Sequence, residues 1–207
     1  MLTFYHSPNS RSTSILALIH ELGALDQVQV RLVDIPREDG TGRRDPANPH
    51  PEGKVPFLTD GADWVRERGA IVAYLCERFP QAGLAPMPGE ALRGRFLSWL
   101  SYYQGVMEPV VLGEMMGVSH PMFRATYRDS ATMAERLAEA LAEGPYLLGE
   151  RFSAADLLLH SPFAWMPDLC PDVPAIRDWV ARCAARPSMA WVHEQDQLGL
   201  APEVNPA

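Results

Sequence analysis

Ser7, Ser10, Ser12 and Thr13 fall within one short segment, His6-Ser7-Pro8-Asn9-Ser10-Arg11-Ser12-Thr13. A β-prone run, Leu2-Thr3-Phe4-Tyr5, precedes it, and Ile15, Leu18, Ile19 and Leu22 follow at helical spacing. A helix N-terminus offers free N–H groups and the positive end of the helix dipole, so such a turn suits an anion. A hydroxyl placed there can donate a hydrogen bond to that anion. On local sequence alone, serving as the helix N-cap is the commoner role for one of these residues. A second informative stretch is Gly53-Lys54-Val55-Pro56, where a proline enters an apolar run just after a glycine loop. Only about 5–6% of X–Pro bonds in folded proteins are cis, so local sequence favours trans. Other chemistries find little support. Cys76, Cys170 and Cys183 are widely spaced with no CxxC pair, and the six histidines show no HExxH or similar spacing. No metal site is expected, and Cys76, among apolar residues in a helical pattern, reads as an inert buried thiol.

The elements that position these residues follow two grammars. In the first half, the opening run, the helix closed by Gly23, and the alternation of Val28, Val30 and Leu32 with Gln29 and Arg31 read as β-α-β. Residues 36–53 are rich in Pro, Gly and charge and read as loop with room for one short helix. Val55-Pro56-Phe57-Leu58-Thr59, the turn Asp60-Gly61 and Trp64-Val65-Arg66 read as a hairpin. Ile71, Val72, Leu75 and Phe79 mark a helix that stops before Pro80. Residues 81–89 form a Pro/Gly linker between a first domain, 1–80, and an all-helical second domain, 90–207. In the latter, Leu92, Phe96, Trp99, Leu100, Tyr103 and Met107 share one helical face, which Pro109 should kink. Ser153-Ala154-Ala155-Asp156 reads as a capping box. Pro174 opens a helix bearing Ile176, Trp179, Val180 and Cys183, and Pro187 ends it.

Composition narrows the class. The 207 residues are 47% hydrophobic and 21% charged, enough to bury a core without staples. A net charge of −8 argues against nucleic acid, whose phosphates need a basic surface. No apolar run approaches the roughly 20 residues that span a bilayer. Met1-Leu2-Thr3-Phe4-Tyr5 carries neither a basic n-region nor a signal-peptide h-region, so no membrane association and a cytoplasmic location are expected.

Four motifs in order resemble the glutathione transferase superfamily. Asn48-Pro49-His50-Pro51-Glu52-Gly53-Lys54-Val55-Pro56-Phe57-Leu58 is similar to the family's Asn-Pro-x-Gly-Lys-Val-Pro-x-Leu, with two residues inserted before the glycine. Glu67-Arg68-Gly69-Ala70-Ile71-Val72-Ala73-Tyr74-Leu75 resembles Glu-Ser-x-Ala-Ile-x-x-Tyr-Leu. Gly149 to Asp156 resembles the family's buried N-capping motif, and Trp179 to Pro187 its last conserved-type helix. The resemblance implies an α+β thioredoxin-like domain followed by an all-α domain, and a cis peptide before Pro56. It implies glutathione as co-substrate with no prosthetic group, a homodimer, and thiolate activation for attack on a small hydrophobic electrophile held between the domains.

The same resemblance implies roles by position. The main chain of Val55, exposed by the Pro56 turn, would pair with the cysteinyl backbone of glutathione, with Lys54 and His50 also at that site. Glu67 would hold the γ-glutamyl amine. Arg68 stands where the family has the serine that bonds the γ-glutamyl carboxylate. An arginine there can grip a carboxylate or turn to solvent. Register against serine-type members puts the catalytic hydroxyl at Ser10, followed in order by Ser12, Asn9 and Tyr5. The electrophile would meet Tyr102, Tyr103, Met107 and Met115, with Met116 beyond; each of these can equally pack the helical core. The alternatives are a glutathione-dependent peroxidase, dehalogenase or isomerase on the same scaffold, or a non-catalytic binding module. Asn9-Ser10-Arg11-Ser12 differs from the isomerase subgroup's Ser-Ser-Cys pattern, and a dithiol oxidoreductase lacks a cysteine before Cys76.

Overall fold

The computed structural model describes residues 1–200. It divides into two compact units, one made of Met1–Leu75 with the segment from Pro187, the other of Cys76–Arg186. The first unit holds β1 (Leu2–His6), α1 (Thr13–Glu21), β2 (Val28–Leu32), β3 (Phe57–Asp60) and β4 (Asp63–Arg66). α2 (Arg68–Arg78) follows and carries the boundary between the units. The strands form one mixed sheet in the order β2-β1-β3-β4. β1 pairs parallel with β2, Leu2 opposite Val28, and antiparallel with β3, Tyr5 opposite Phe57. This is the β-α-β, β-β-α order the breakers and periodicities predict. β2 is a sheet edge, and Val30 and Leu32 are exposed despite their alternation.

Period-two geometry sends Phe4 and His6 to one face of β1, where their rings stack 5.9 Å apart. Tyr5 faces the other way, into an apolar cluster with Val33, Val55 and Phe57. Ile15, Leu18 and Ile19 of α1 and Ile71 and Leu75 of α2 are fully buried, so both helices bury their apolar stripe.

The last helix, α9 (Pro187–Leu200), is where structure and sequence pattern part. The pattern reads Pro187 as a stop and groups the tail with the helical half. Pro187 instead starts α9, a position where its missing N–H is not needed. α9 packs along α1 in the opposite direction. Ser188 donates to Glu21 at 2.6 Å, Trp191 meets the His20 ring at 4.8 Å, and Asp196 accepts from Thr13. A Cβ on Gly199 would lie 2.7 Å from Pro8 Cγ, so only glycine lets α9 come this close to the turn after β1.

The second unit contains α3 (Arg93–Tyr102), α4 (Glu108–Met115), α5 (Pro121–Tyr127), α6 (Ser130–Leu141), α7 (Ala154–Trp165) and α8 (Pro174–Ala184). Its core includes Phe96, Met133, Leu137, Phe163, Ile176 and Trp179. A π-helical turn, Tyr103–Met107, separates α3 from α4 just before Pro109. Proline offers no N–H to the preceding turn and crowds its carbonyl, and the helix accommodates it by widening. The linker is pinned, because Leu84 O accepts from the N–H of Ala154 at 2.8 Å.

Asp156 organises the start of α7. Its fully buried carboxylate accepts from Ser153 N–H at 2.9 Å, Ser153 Oγ at 2.7 Å, Leu147 N–H at 2.8 Å and the Trp179 indole at 3.0 Å. Burial is the strongest influence on this carboxyl and raises its pKa, against the pull of the four donors. Asp156→Ala strands these buried donors at about 1–3 kcal/mol each, so the variant should lose at least about 3 kcal/mol of stability in urea unfolding. A loss under about 1 kcal/mol would remove Asp156 as the organiser.

Candidate active site

The turn between β1 and α1 is built around one hydroxyl. Ser12 occupies the N-cap position of α1, yet its side chain makes no capping bond. It is fully buried and turns back under the turn instead. Its Oγ lies 2.7 Å from His6 Nδ1 and 2.7 Å from Ser10 Oγ, and accepts from Ser7 N–H at 3.1 Å. Ser10 is partly exposed. It reaches Ser7 O at 2.7 Å and accepts from Ser12 N–H at 3.2 Å.

A carboxylate from α9 closes the turn from behind. Asp196, 2% exposed, accepts from His6 Nε2 at 2.9 Å through Oδ1. Through Oδ2 it accepts from Asn9 N–H at 2.9 Å and Thr13 Oγ1 at 2.6 Å. Burial pushes its carboxyl up, but the bonds from His6, Thr13 and Asn9 outweigh that and leave the pKa below the usual carboxylate value. Asn9 meets this geometry with φ +50°, a left-handed conformation that asparagine tolerates. Arg37, in the loop after β2, wraps the outside of the turn, donating to Pro8 O at 2.9 Å and Ser7 Oγ at 3.1 Å.

The four candidate catalytic residues are thus separated by accessibility. Tyr5 is buried in the apolar cluster and Ser12 beneath the turn, while Ser10 and Asn9 keep some surface. Val55–Pro56 is cis, with Val55 packed in the Tyr5, Val33 and Phe57 cluster. The β1–β3 ladder ends at Tyr5 opposite Phe57, so Val55 and Pro56 lie past the last paired residue, alongside the end of β1. The loop before them is fastened by its own side chains. Asn48 Nδ2 donates to Lys54 O at 3.1 Å, and Asn48 Oδ1 accepts from His50 N–H at 3.0 Å. His50 Nδ1 accepts from Glu52 N–H at 3.0 Å, and its ring stands edge-on to Phe57. Burial holds the His50 pKa below its ordinary value. Lys54 is exposed and pairs with Glu52 at 2.5 Å.

Glu67 is exposed, at φ +69°, between β4 and α2. A glutamate in this region costs of order 1–2 kcal/mol, so the surrounding structure holds it there. Arg68 is 6% exposed, so it does not take the solvent-facing alternative. In the helical unit, Tyr103 and Met107 are buried in the core, the packing role the sequence left open. Tyr102 is half-buried, and burial raises its phenol pKa; Met115 and Met116 are exposed. Sequence reasoning did not find Asp196 or Arg37, and met His6 only as part of the turn. Asp196 lies 190 residues from His6, in a stretch (His193-Glu194-Gln195-Asp196-Gln197) whose polarity hides which residue faces inward.

Comparison with known proteins agrees with this geometry. The family model for the glutathione S-transferase N-terminal domain matches residues 2–83, and that for the C-terminal domain matches residues 119–187. The chain belongs to the glutathione S-transferase superfamily. It is 29% identical over 164 residues to glutathione S-transferase F14 of Arabidopsis thaliana, covering 69% of this chain but only 63% of that relative's length. It is 26% identical to the disulfide-bond oxidoreductase YfcG of Escherichia coli, over 96% of this chain and 97% of that one. A glutathione transferase structure from Methylococcus capsulatus superposes with a TM-score of 0.75 at 25% identity, covering 96% of this chain and all of the other. A sphingomonad glutathione S-transferase complexed with glutathione gives 0.73 at 26%, covering 96% and 100%.

The depressed carboxyl of Asp196 ties this superfamily member's site to acid stability. A lowered folded-state pKa contributes stability that is complete above the ordinary carboxylate value of about 3.9 and fades as pH falls through the folded value. The advantage of wild type over Asp196→Asn in urea midpoint should therefore be full above about pH 4 and shrink below it. A pH-independent difference would sever Asp196 from the acid response.

Proposed function

We propose that the chain is a glutathione transferase in which the Ser10 hydroxyl stabilises the glutathione thiolate for attack on a small hydrophobic electrophile. The supporting observation is a partly exposed serine in the turn leading into α1, together with a cis Val55–Pro56 step that lies past the last β1–β3 pair. Glutathione would add its cysteinyl backbone to Val55 as an extra strand. Lys54 and His50 would lie along that strand, and Glu67 would take the γ-glutamyl amine. Arg68 would stand near the γ-glutamyl carboxylate, its burial fitting a charge-assisted bond.

A free thiol with a pKa of about 8.5 is only a few per cent ionised at pH 7. Lowering it by about two units takes ~2.7 kcal/mol. One charge-assisted hydrogen bond, at about 1.5–3 kcal/mol, together with the α1 dipole covers that. For the electrophile, Tyr102 and Met115 are the candidates with surface to offer, while Tyr103 and Met107 are buried. The proposal includes a cytoplasmic homodimer, on the family resemblance; gel filtration at the monomer mass at every concentration would remove the dimer.

The similarity to a named disulfide-bond oxidoreductase favours one second reading, glutathione-dependent disulfide reduction on the same site. The protein's own thiols are poorly suited to it. Burial pushes Cys76 up to about 12 and raises Cys183 further, and Cys170 is also raised by burial. The exchanging sulfurs would then be those of glutathione and the substrate.

Ser10→Ala should lower kcat/KM for thiol conjugation about ten- to a hundredfold, matching one charge-assisted hydrogen bond, and raise the pKa of bound glutathione. Activity equal to wild type would reject Ser10 as the activating hydroxyl. No binding of millimolar glutathione to wild type would reject the enzyme reading altogether.

A further inference from the structure

Contacts under the turn run in a line, Asp196 Oδ1 to His6 Nε2 at 2.9 Å, His6 Nδ1 to Ser12 Oγ at 2.7 Å, and Ser12 Oγ to Ser10 Oγ at 2.7 Å, with Ser7 O as a side acceptor 3.2 Å from Ser12 Oγ and 2.7 Å from Ser10 Oγ. A carboxylate only accepts, so His6 Nε2 carries a hydrogen. In neutral His6 the Nδ1 atom is then a bare lone pair, which takes the hydroxyl hydrogen of Ser12. Ser12 Oγ accepts from Ser7 N–H, and it accepts from Ser10 when the Ser10 hydroxyl hydrogen turns to it from Ser7 O, 2.7 Å away. His6, Ser12 and Asp196 are all buried, so water does not compete along the line, and Ser10 is its one partly exposed end.

We propose that Ser12, His6 and Asp196 form an internal acceptor for the glutathione thiol proton, entered through Ser10. The step rests on the glutathione transferase reading above and deepens it. The thiol S–H bond breaks and its proton goes to Ser10 Oγ. Ser10 passes its own proton to Ser12 Oγ, and Ser12 passes its own to His6 Nδ1. The products are a thiolate bonded by the Ser10 O–H and an imidazolium held by the Asp196 carboxylate. Three protons shift by one place each, no electrons are transferred, and no co-reactant is needed. One negative and one positive charge appear together, so the net charge of the site is unchanged. Among the described residues, His6 meets Asp196 from α9 and Ser12 from the start of α1, with Phe4 stacked beside it. Arg37, from the loop after β2, donates to Ser7, Pro8 and Asn9, and Asp196 is the carboxylate bonded to His6 that would hold the imidazolium. His6, Ser12 and Asp196 act through Ser10 and are positioning residues.

The distinguishing readout is where the proton goes. At pH 8 free glutathione is mostly protonated and an ordinary histidine is neutral. Mixing full-length protein with glutathione in weak buffer gives thiolate, read by its ultraviolet absorbance, and released protons, read by an indicator dye. Wild type should form thiolate with nearly no proton released per thiolate. Asp196→Asn, which removes the charge that holds the imidazolium, should release close to one. Ser12→Ala, which cuts the line without touching the carboxylate, should do the same. Because the readout is a ratio, it survives partial loss of folded protein. One proton released per thiolate by wild type overturns the acceptor line and leaves the transferase reading standing. Ratios near zero in both variants overturn it as well. No thiolate formed on wild type at millimolar glutathione overturns the functional reading and the acceptor line together.

Discussion

The buried carboxylate of Asp196 is the constraint on which the candidate site depends. It collects a histidine from β1, a main-chain N–H from the turn and a hydroxyl from α1 onto one side chain of the last helix. A buried charge is tolerated only when its acceptor sites are met, and here three donors from consecutive pieces of the chain meet them. The turn is therefore shaped by a residue from the far end of the sequence. The sheet unit is completed by its own C-terminal helix, which follows the whole helical unit in sequence. The approach of Gly199 to Pro8 and the Ser188–Glu21 bond fasten α9 at its two ends, with Asp196 between them.

The elements of the sheet were legible because each has a local signal. β2 alternates, α1 and α2 carry apolar residues at helical spacing, Gly23 and Pro80 end them, and Asp60-Gly61 turns the hairpin. The cis bond at Val55–Pro56 was legible only through the family motif, since nothing in the dipeptide itself favours cis. The tertiary setting of α9 was not legible. Its inward residues include Asp196 and Ser188, so hydrophobic periodicity, which finds buried faces by their apolar residues, does not reveal which side packs. The serine turn was legible as a cluster of hydroxyls but not as a hierarchy. Family register ranks Ser10 ahead of Ser12, but the local sequence does not separate them, and burial adds that Ser12 is enclosed while Ser10 keeps some surface. The same holds in the helical unit, where Tyr103 and Met107 share a pattern with Tyr102 but are closed in the core.

Two aspartates show how one residue type does different work under similar burial. Asp156 and Asp196 are both buried and both accept several hydrogen bonds. Asp156 receives only neutral donors, two of them backbone N–H groups, and burial wins, so its carboxyl is raised. Its role is to join the start of α7 to Leu147 and Trp179. Asp196 receives a hydroxyl, an N–H and a histidine that can itself become charged, and its carboxyl is lowered. Burial weighs less on Asp196, and its bonds from His6, Thr13 and Asn9 together outweigh it. A carboxylate facing neutral donors can only hold structure, because nothing around it can change charge near neutral pH. A carboxylate facing an imidazole fixes which ring nitrogen carries the hydrogen and so which one is left to accept. That distinction, set by which side chain ends up opposite the aspartate, separates the fold-building network of the helical unit from the network under the serine turn.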